Sequence, residues 1–296
     1  MSDEFFRGAE FLRAEGVTHT LRIESGGTEL VAPLIVREIP AGGSDAVSPY
    51  GYSGVVPLGG EALTEALEPE TVDWSDTGLV SAFLRGTALG PHALAGAERS
   101  ELQISDPGLE RKSRMSDRQQ VRRNEARGYT AEILPGPDAA RPERDGFLRA
   151  YEQTMVRTEA AQRYFFGREW FDTVLSSPRA WLALIRAPGG EIAAASIATL
   201  SDEVLHYYLS GTGNEHLGDA PMKNLIVALQ DLSDELDVPL NLGGGLRPGD
   251  GLEEFKRGFA NRRAPFLTHQ IVCDREAYDR LSEGRSAGEF FPAYRA

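Results

Sequence analysis

Hydrophobic and polar positions alternate at short range in the first third of the chain. Leu21–Glu24 and Leu30–Ile39 read as paired strands joined at Gly26-Gly27, behind a short helical stretch, Glu4–Glu15. A loop of small residues, Pro40 to Pro57, holds the aromatic knot Pro49-Tyr50-Gly51-Tyr52-Ser53-Gly54. Gly60–Ala66 fits a short helix and Leu79–Leu84 an apolar strand, and the turn residues Ser105-Asp106-Pro107-Gly108 close this lobe.

The pattern then changes twice. From Arg111 to Arg127 the chain is polar nearly all round, with only Met115, Val121 and Ala126 apolar, and reads as a surface helix closed by Gly128. Pro135–Arg144 is rich in Pro, Asp and Arg and reads as a linker. Beyond it Phe147–Thr158 and Arg168–Leu175 predict helices, and Trp181–Arg186, Glu191–Leu200 and Glu203–Ser210 predict a three-strand antiparallel meander. Met222, Leu225, Ile226, Leu229, Leu232 and Leu236 fall on one helical face, with Asp219 as N-cap and Pro221 in the first turn. Leu240–Leu242 is a short buried strand ended by Gly243-Gly244-Gly245. Asp250, with Glu253, caps a helix through Phe259, and Pro265–Cys273 and Arg275–Ser282 supply a closing strand and helix. This order predicts an α+β fold, helices on mostly antiparallel sheets, in three parts: a first lobe 1–108, a basic helix and linker 109–144, and a second lobe 145–296. The first lobe has a shorter plan of the same kind, a degenerate copy with no repeat at the level of sequence.

Composition narrows the chemistry. A net charge of -14 argues against nucleic-acid affinity over the whole surface. The charge is uneven, however: seven of the basic residues lie between Arg111 and Arg127, either as a solvated helix or as a phosphate or RNA contact. Three lysines (Lys112, Lys223, Lys256) stand against 28 arginines, so each lysine merits separate attention. No apolar run approaches a membrane span and no leader is read at the N-terminus, which makes a cytoplasmic protein the expectation. Cys273, the single cysteine, reads as a core residue. The five histidines are scattered, so no metal site is expected. Phosphate-loop, dinucleotide and nucleophile-elbow motifs are absent from the sequence, which leaves transfer chemistry without metal or covalent nucleophile.

Four segments carry a resemblance. They are the aromatic and Met/Arg run Phe147–Phe171, Leu205-His206-Tyr207-Tyr208-Leu209-Ser210-Gly211, and Leu242-Gly243-Gly244-Gly245 followed by Asp250-Gly251-Leu252 and Phe255-Lys256, together with the Tyr50–Gly54 knot. From about Pro49 to the C-terminus the chain resembles the FemAB/FemX-like branch of the GNAT superfamily. That resemblance implies two GNAT-like lobes and transfer of an aminoacyl group, from aminoacyl-tRNA in the best-known members, to an amine. The coiled-coil insertion of some cell-wall members is missing. The acetyl-CoA loop of single-domain GNAT enzymes is also unmatched: Gly211–Asp219 stands there, with Glu215 and Asp219 poorly suited to a pyrophosphate.

The resemblance makes Lys256 a catalytic residue, its cation set against a developing oxyanion or a phosphate. His206 is the second catalytic expectation, able to accept the amine proton if it titrates near neutrality. It alternates with Tyr208 on one strand face, as a channel lining or as a half-buried structural pair. Gly243, Gly244 and Gly245 would offer backbone N–H groups, or simply make a turn. Phe255, Tyr151 and Tyr164 read as wall or core, and Arg157 as a bidentate clamp for a carboxylate or phosphate. Tyr50 and Tyr52, in a glycine-rich loop, would cover an acceptor. The expected activity is amide formation from an aminoacyl or acyl donor, aminoacyl-tRNA or acyl-CoA serving as co-substrate with no resident cofactor. Its rivals are an acetyl-CoA-dependent N-acetyltransferase and a non-catalytic ligand-binding pair of lobes.

Overall fold

The computed structural model describes residues 4–25, 27–59, 63, 65–245, 247–285 and 290–296; the Gly26 half of the first turn and most of the expected helix Gly60–Ala66 lie outside them. In chain order the elements are α1 (Ala9–Ala14), β1 (His19–Ser25), β2 (Thr28–Glu38), β3 (Ser44–Val47), β4 (Val56–Pro57), β5 (Ser81–Arg85), β6 (Ala97–Ser105), α2 (Met115–Ala126), β7 (Thr130–Pro135), α3 (Arg141–Arg157), α4 (Arg168–Leu175), β8 (Ala180–Arg186), β9 (Ile192–Ser201), β10 (Val204–Thr212), α5 (Met222–Leu236), β11 (Leu240–Gly243), α6 (Gly251–Arg257), β12 (Arg262–Val272) and α7 (Arg275–Ser282). Helices and mostly antiparallel strands mix as the sequence predicts, and no described helix is long and apolar enough to cross a membrane.

The chain packs as two units, Met1–Ala14 with Glu101–Ala264, and Glu15–Ser100 with Pro265–Ala296. This division differs from the one read at 108 and 145. Phe5, Phe6 and Phe11 bury their rings beside Tyr208 of β10, which draws the N-terminal segment into the first unit. Thr268–Val272 of β12 pair with β5, which draws the C-terminal segment into the second.

In the first unit the strands run β6-β11-β10-β9-β8-β7. The meander β8-β9-β10 is antiparallel, β11 joins β10 in parallel, and β6 joins β11 antiparallel. In the second unit the order is β1-β2-β3-β5-β12, again an antiparallel meander, one parallel pair (β3 with β5) and an antiparallel closing strand. The repeat is therefore topological. Between β10 and β11 lies the 15-residue α5; between β3 and β5 the described residues hold only β4 and short 3-10 turns.

Local chemistry explains most of the elements. The apolar stripe of α5 buries Leu225, Ile226 and Leu229 against Ala183, Ile185, Ala194 and Leu205 of the sheet. Its N-cap is Pro221 rather than Asp219, whose carboxylate is drawn away to the Tyr129 hydroxyl at 2.6 Å. The supposed linker Pro135–Arg144 is the end of β7, a 3-10 turn and the start of α3, where Pro142 fills a first-turn position that has no helical N–H partner to lose. α3 lies on the opposite side of the sheet from α5, so close to β10 that a Cβ at Gly211 would meet the Ala150 carbonyl oxygen at 2.3 Å and the Tyr151 nitrogen at 2.4 Å. Gly211→Ala must push helix and strand apart. A loss of about 1–3 kcal/mol in urea unfolding is expected, and an unchanged midpoint would contradict this packing.

Candidate active site

The parallel pairing of β10 and β11 is short. It covers Leu205↔Leu240 and His206↔Asn241 and then stops. β11 bulges toward β6 between Asn241 and Gly243, while β10 runs on to Thr212 beside β9. The strands therefore part at Asn241, and Gly243 turns the chain with φ +77, a conformation open to glycine at no steric cost.

α6 brings Lys256 to this point. Asp250 caps the helix by accepting from the Glu253 N–H at 2.8 Å, and the Glu253 carboxylate reaches back to the Gly249 N–H at 2.8 Å, as the Asp–Glu spacing predicts. One turn later the Lys256 side chain is 8% exposed, and its Nζ donates to the Gly244 carbonyl at 2.7 Å. The Tyr207 ring centroid lies 6.0 Å from Nζ. Burial holds the ammonium below its ordinary range, at about 8, and the Asp250 carboxylate offsets part of that effect. Among the described residues no carboxylate forms an ion pair with it. An ammonium has three N–H donors, and among the described residues only the one to Gly244 has a partner. A buried cation tied to one carbonyl has two donors left for a substrate oxygen.

Tyr207 shares this side of the sheet, packing against the α5 core. A bulge between Tyr207 and Leu209 places Ser210 beside it, with the two hydroxyl oxygens 2.5 Å apart. Burial pushes the phenol up to about 12, so it remains a neutral donor at physiological pH. Strand alternation could have found Tyr207, because it is the neighbour of the residues chosen for the opposite face.

His206 and Tyr208 point the other way. His206 is 1% exposed, with the Phe6 ring edge-on at 4.9 Å, and Tyr208 packs among Phe5, Phe6, Phe11 and Trp170. Burial drives the imidazole down to about 4, with the Ser201 carbonyl and Asp202 opposing it, so the ring is neutral at pH 7. Its Nδ1 faces the Asn241 amide at 3.1 Å and its Nε2 the Ser201 carbonyl at 3.4 Å. Both nitrogens are engaged and the ring is covered. The expected proton acceptor therefore stands in a covered position, and Tyr208 within an aromatic cluster.

The other expected residues separate. Tyr151 is core, stacked with Phe147, its hydroxyl donating to the Tyr164 carbonyl at 2.8 Å. Tyr164 is half-buried under the Arg163 guanidinium. Arg157 bonds to Asn214, to Thr154 Oγ1 at 3.0 Å and to the Thr212 carbonyl at 3.4 Å, which fastens α3 to the end of β10. Phe255 packs edge-on to Phe259 at 5.5 Å in the α5 core. Tyr50 and Tyr52 belong to the second unit. There the Arg85 guanidinium lies over Tyr50 and donates to the Ser48 carbonyl at 2.9 Å, and Tyr52 meets Phe266 at 5.3 Å. Ser48 Oγ accepts from the Arg85 N–H at 2.8 Å, so the end of the β3·β5 pair is closed by side chains where the β10·β11 pair opens. Of the expected set, Lys256 and Gly244 make direct contact, with Gly243 in the turn and Phe255 beside Lys256 on α6.

Two wider grooves lie elsewhere. One of about 840 Å³ runs beside β1 under residues 71–79 of the second unit, and one of about 570 Å³ lies between Arg13 and α4. Neither is lined by any expected site residue.

Comparison with known proteins fits this geometry. Residues 111–256, ending on Lys256, match the acetyltransferase (GNAT) domain model. No curated protein sequence matches. Among solved structures, FemX aligns over 92% of this chain and 93% of its own with a TM-score of 0.63 at 11% identity. L-PGS from Bacillus licheniformis aligns over 90% of each chain, TM-score 0.57 and 15% identity. The C-terminal domain of a putative lysylphosphatidylglycerol synthetase from Agrobacterium fabrum covers 93% and 90%, TM-score 0.58 and 17% identity. At such identities the likeness is one of fold. Residues 111–256 are similar to the GNAT acetyltransferase domain, and by that match the chain is an acyltransferase.

Proposed function

We propose that this acyltransferase moves an activated aminoacyl group onto an amine, directly and without an acyl-enzyme, where β10 and β11 part. The buried Lys256 ammonium beside the glycine turn carries this reading. The neutral amine attacks the acyl carbon, the new C–N bond forms as the ester or thioester bond breaks, and the amine's proton leaves with the departing oxygen or sulfur. Lys256 donates to the acyl oxygen as negative charge builds there, in a site sparing of water, where such a contact is worth most. Glycine at the turn lets the backbone approach the acyl group.

One observation favours an aminoacyl donor over acetyl-CoA. The segment after β10, where GNAT enzymes of the acetyl-CoA kind carry a phosphate-binding loop, has its first two N–H groups committed: Gly213 to the Ala193 carbonyl at 2.9 Å and Asn214 to Gln153 at 2.8 Å. Asp219 adds a carboxylate held by Tyr129 and Arg127. Mass spectrometry of amine acceptors after incubation with charged tRNA and, separately, with acyl-CoA tests the reading. Products from acyl-CoA alone would favour the N-acetyltransferase. No product from either, with a small molecule still raising the melting temperature, would favour a binding protein.

For a tRNA-borne donor the basic stretch matters, and it is less basic than its composition. Arg111 is paired with Asp231 and Asp234, Arg114 with Glu254, and Arg127 with Asp219. Lys112, Arg118, Arg122 and Arg123 have no carboxylate partner among the described residues. Reversing Arg118 and Arg122 to Glu is expected to weaken tRNA binding and to flatten its log–log salt dependence by about 2; an unchanged slope would point to another carrier.

A further inference from the structure

The chemistry assigned to Lys256 needs the Gly244 carbonyl held still, and the chain that holds it begins on the other face of the sheet. The Gly243 N–H can only donate, and it does so to Asn241 Oδ1 at 2.8 Å. The Asn241 NH2 therefore faces His206 Nδ1 at 3.1 Å. Nδ1 must accept, so the imidazole proton sits on Nε2 and points at the Ser201 carbonyl 3.4 Å away. One backbone N–H thus settles the amide orientation, the tautomer and the direction of every bond. All three residues are sealed: His206 and Asn241 are 1% exposed and Ser201, which offers its carbonyl, 0%.

We infer that Asn241 is a positioning residue of the transfer site, with His206 fixing its amide so that the Gly243–Gly244 turn presents its carbonyl to Lys256. Parallel pairing ends at His206↔Asn241, so the backbone ladder no longer holds β11 to β10 there, and the side-chain bridge takes its place. Glycine follows immediately, and a turn at Gly243 would otherwise be free to move. His206, covered and away from Lys256, thereby has a role at a distance.

The inference rests on the proposed function for its meaning, but its test does not need the substrate. The protein has three lysines, so trace labelling with acetic anhydride across pH, read by mass spectrometry, yields a separate titration for each. Lys256 is faced by Tyr207 from β10, by the Gly244 carbonyl and by Asp250 at the N-cap of α6. Its reactivity in the intact protein is expected to inflect near 8. In Asn241→Ala the turn loosens, water reaches the ammonium, and the inflection is expected to rise by about one unit or more toward that of Lys112. His206→Gln, the milder change, is expected to shift it the same way by less, and serves where Asn241→Ala does not fold. An inflection that stays in place in a folded variant of either kind would overturn the inference. A shift in the labelled protein with no transfer activity in any donor assay would leave the positioning intact and remove the function.

Discussion

Lys256→Met is expected to lower turnover by about 10²–10³ and, at neutral pH, to make the protein more stable. The two effects have one origin. Among the described residues Lys256 is buried without a carboxylate partner, which suits a group that meets negative charge only when the reaction generates it, and is costly at rest. In the unfolded chain the amine titrates at 10.5; folded, at about 8. Between these values the folded state binds fewer protons, so stability rises with pH from about 8 to 10.5, and below 8 the cost is present in full. The depression corresponds to about 3 kcal/mol as an upper figure. Methionine has a similar length and no charge, so a gain of about 1–3 kcal/mol at pH 7 is expected, shrinking as pH approaches 10.5. Urea midpoints at pH 7 and pH 10 check the stability, and steady-state turnover checks the chemistry. Unimpaired turnover in the variant would take Lys256 out of the reaction; a variant less stable at pH 7 would mean that the ammonium has a partner that holds the fold.

How far the sequence carried this site depends on the range of each interaction. The meander, α5 and the capped start of α6 were legible because period, turn and cap are local signals: Pro188-Gly189-Gly190 between β8 and β9, and Asp250 with Glu253. No strand was legible at Thr130–Leu134, because the run is short and Pro135 with the residues after it reads as linker. The unit boundaries were not legible, since each depends on a distant pairing: β12 joins β5, and Phe6 covers His206. Alternation correctly grouped His206 with Tyr208, but it cannot say which face of a strand looks at α6. That choice is made by Phe5, Phe6 and Phe11 packing about 200 residues away in sequence, and it leaves Tyr207, not His206, beside the lysine. Asn241 carried no signal of its own; its importance follows from where the parallel ladder stops.

The second unit contains the substitution with the largest expected cost to stability, Asp45→Ala. Asp45 stands on β3, 1% exposed, between two guanidinium groups. Oδ1 accepts from Arg37 Nε at 2.8 Å and from Arg295 Nη2 at 3.1 Å, while Oδ2 accepts from Arg295 Nε at 2.5 Å and the Tyr294 hydroxyl at 3.2 Å. Arg295 also donates to the Glu38 carbonyl at 2.9 Å, and Tyr294 Oη lies 2.7 Å from Ser81 Oγ on β5. The C-terminal turn is thus fastened to β2, β3 and β5 through one carboxylate. Burying that charge is itself costly, so the pair need not stabilise the fold relative to an apolar substitute, but removing only the carboxylate leaves half-buried cations facing each other with nothing between them. A loss of about 3–5 kcal/mol in urea unfolding is expected for Asp45→Ala. Arg295→Met should cost less, because Arg37 still neutralises Asp45 and the Arg295 side chain is 25% exposed. If the two variants lose the same stability, or Asp45→Ala loses under about 1 kcal/mol, the carboxylate is not what holds the C-terminal turn in place.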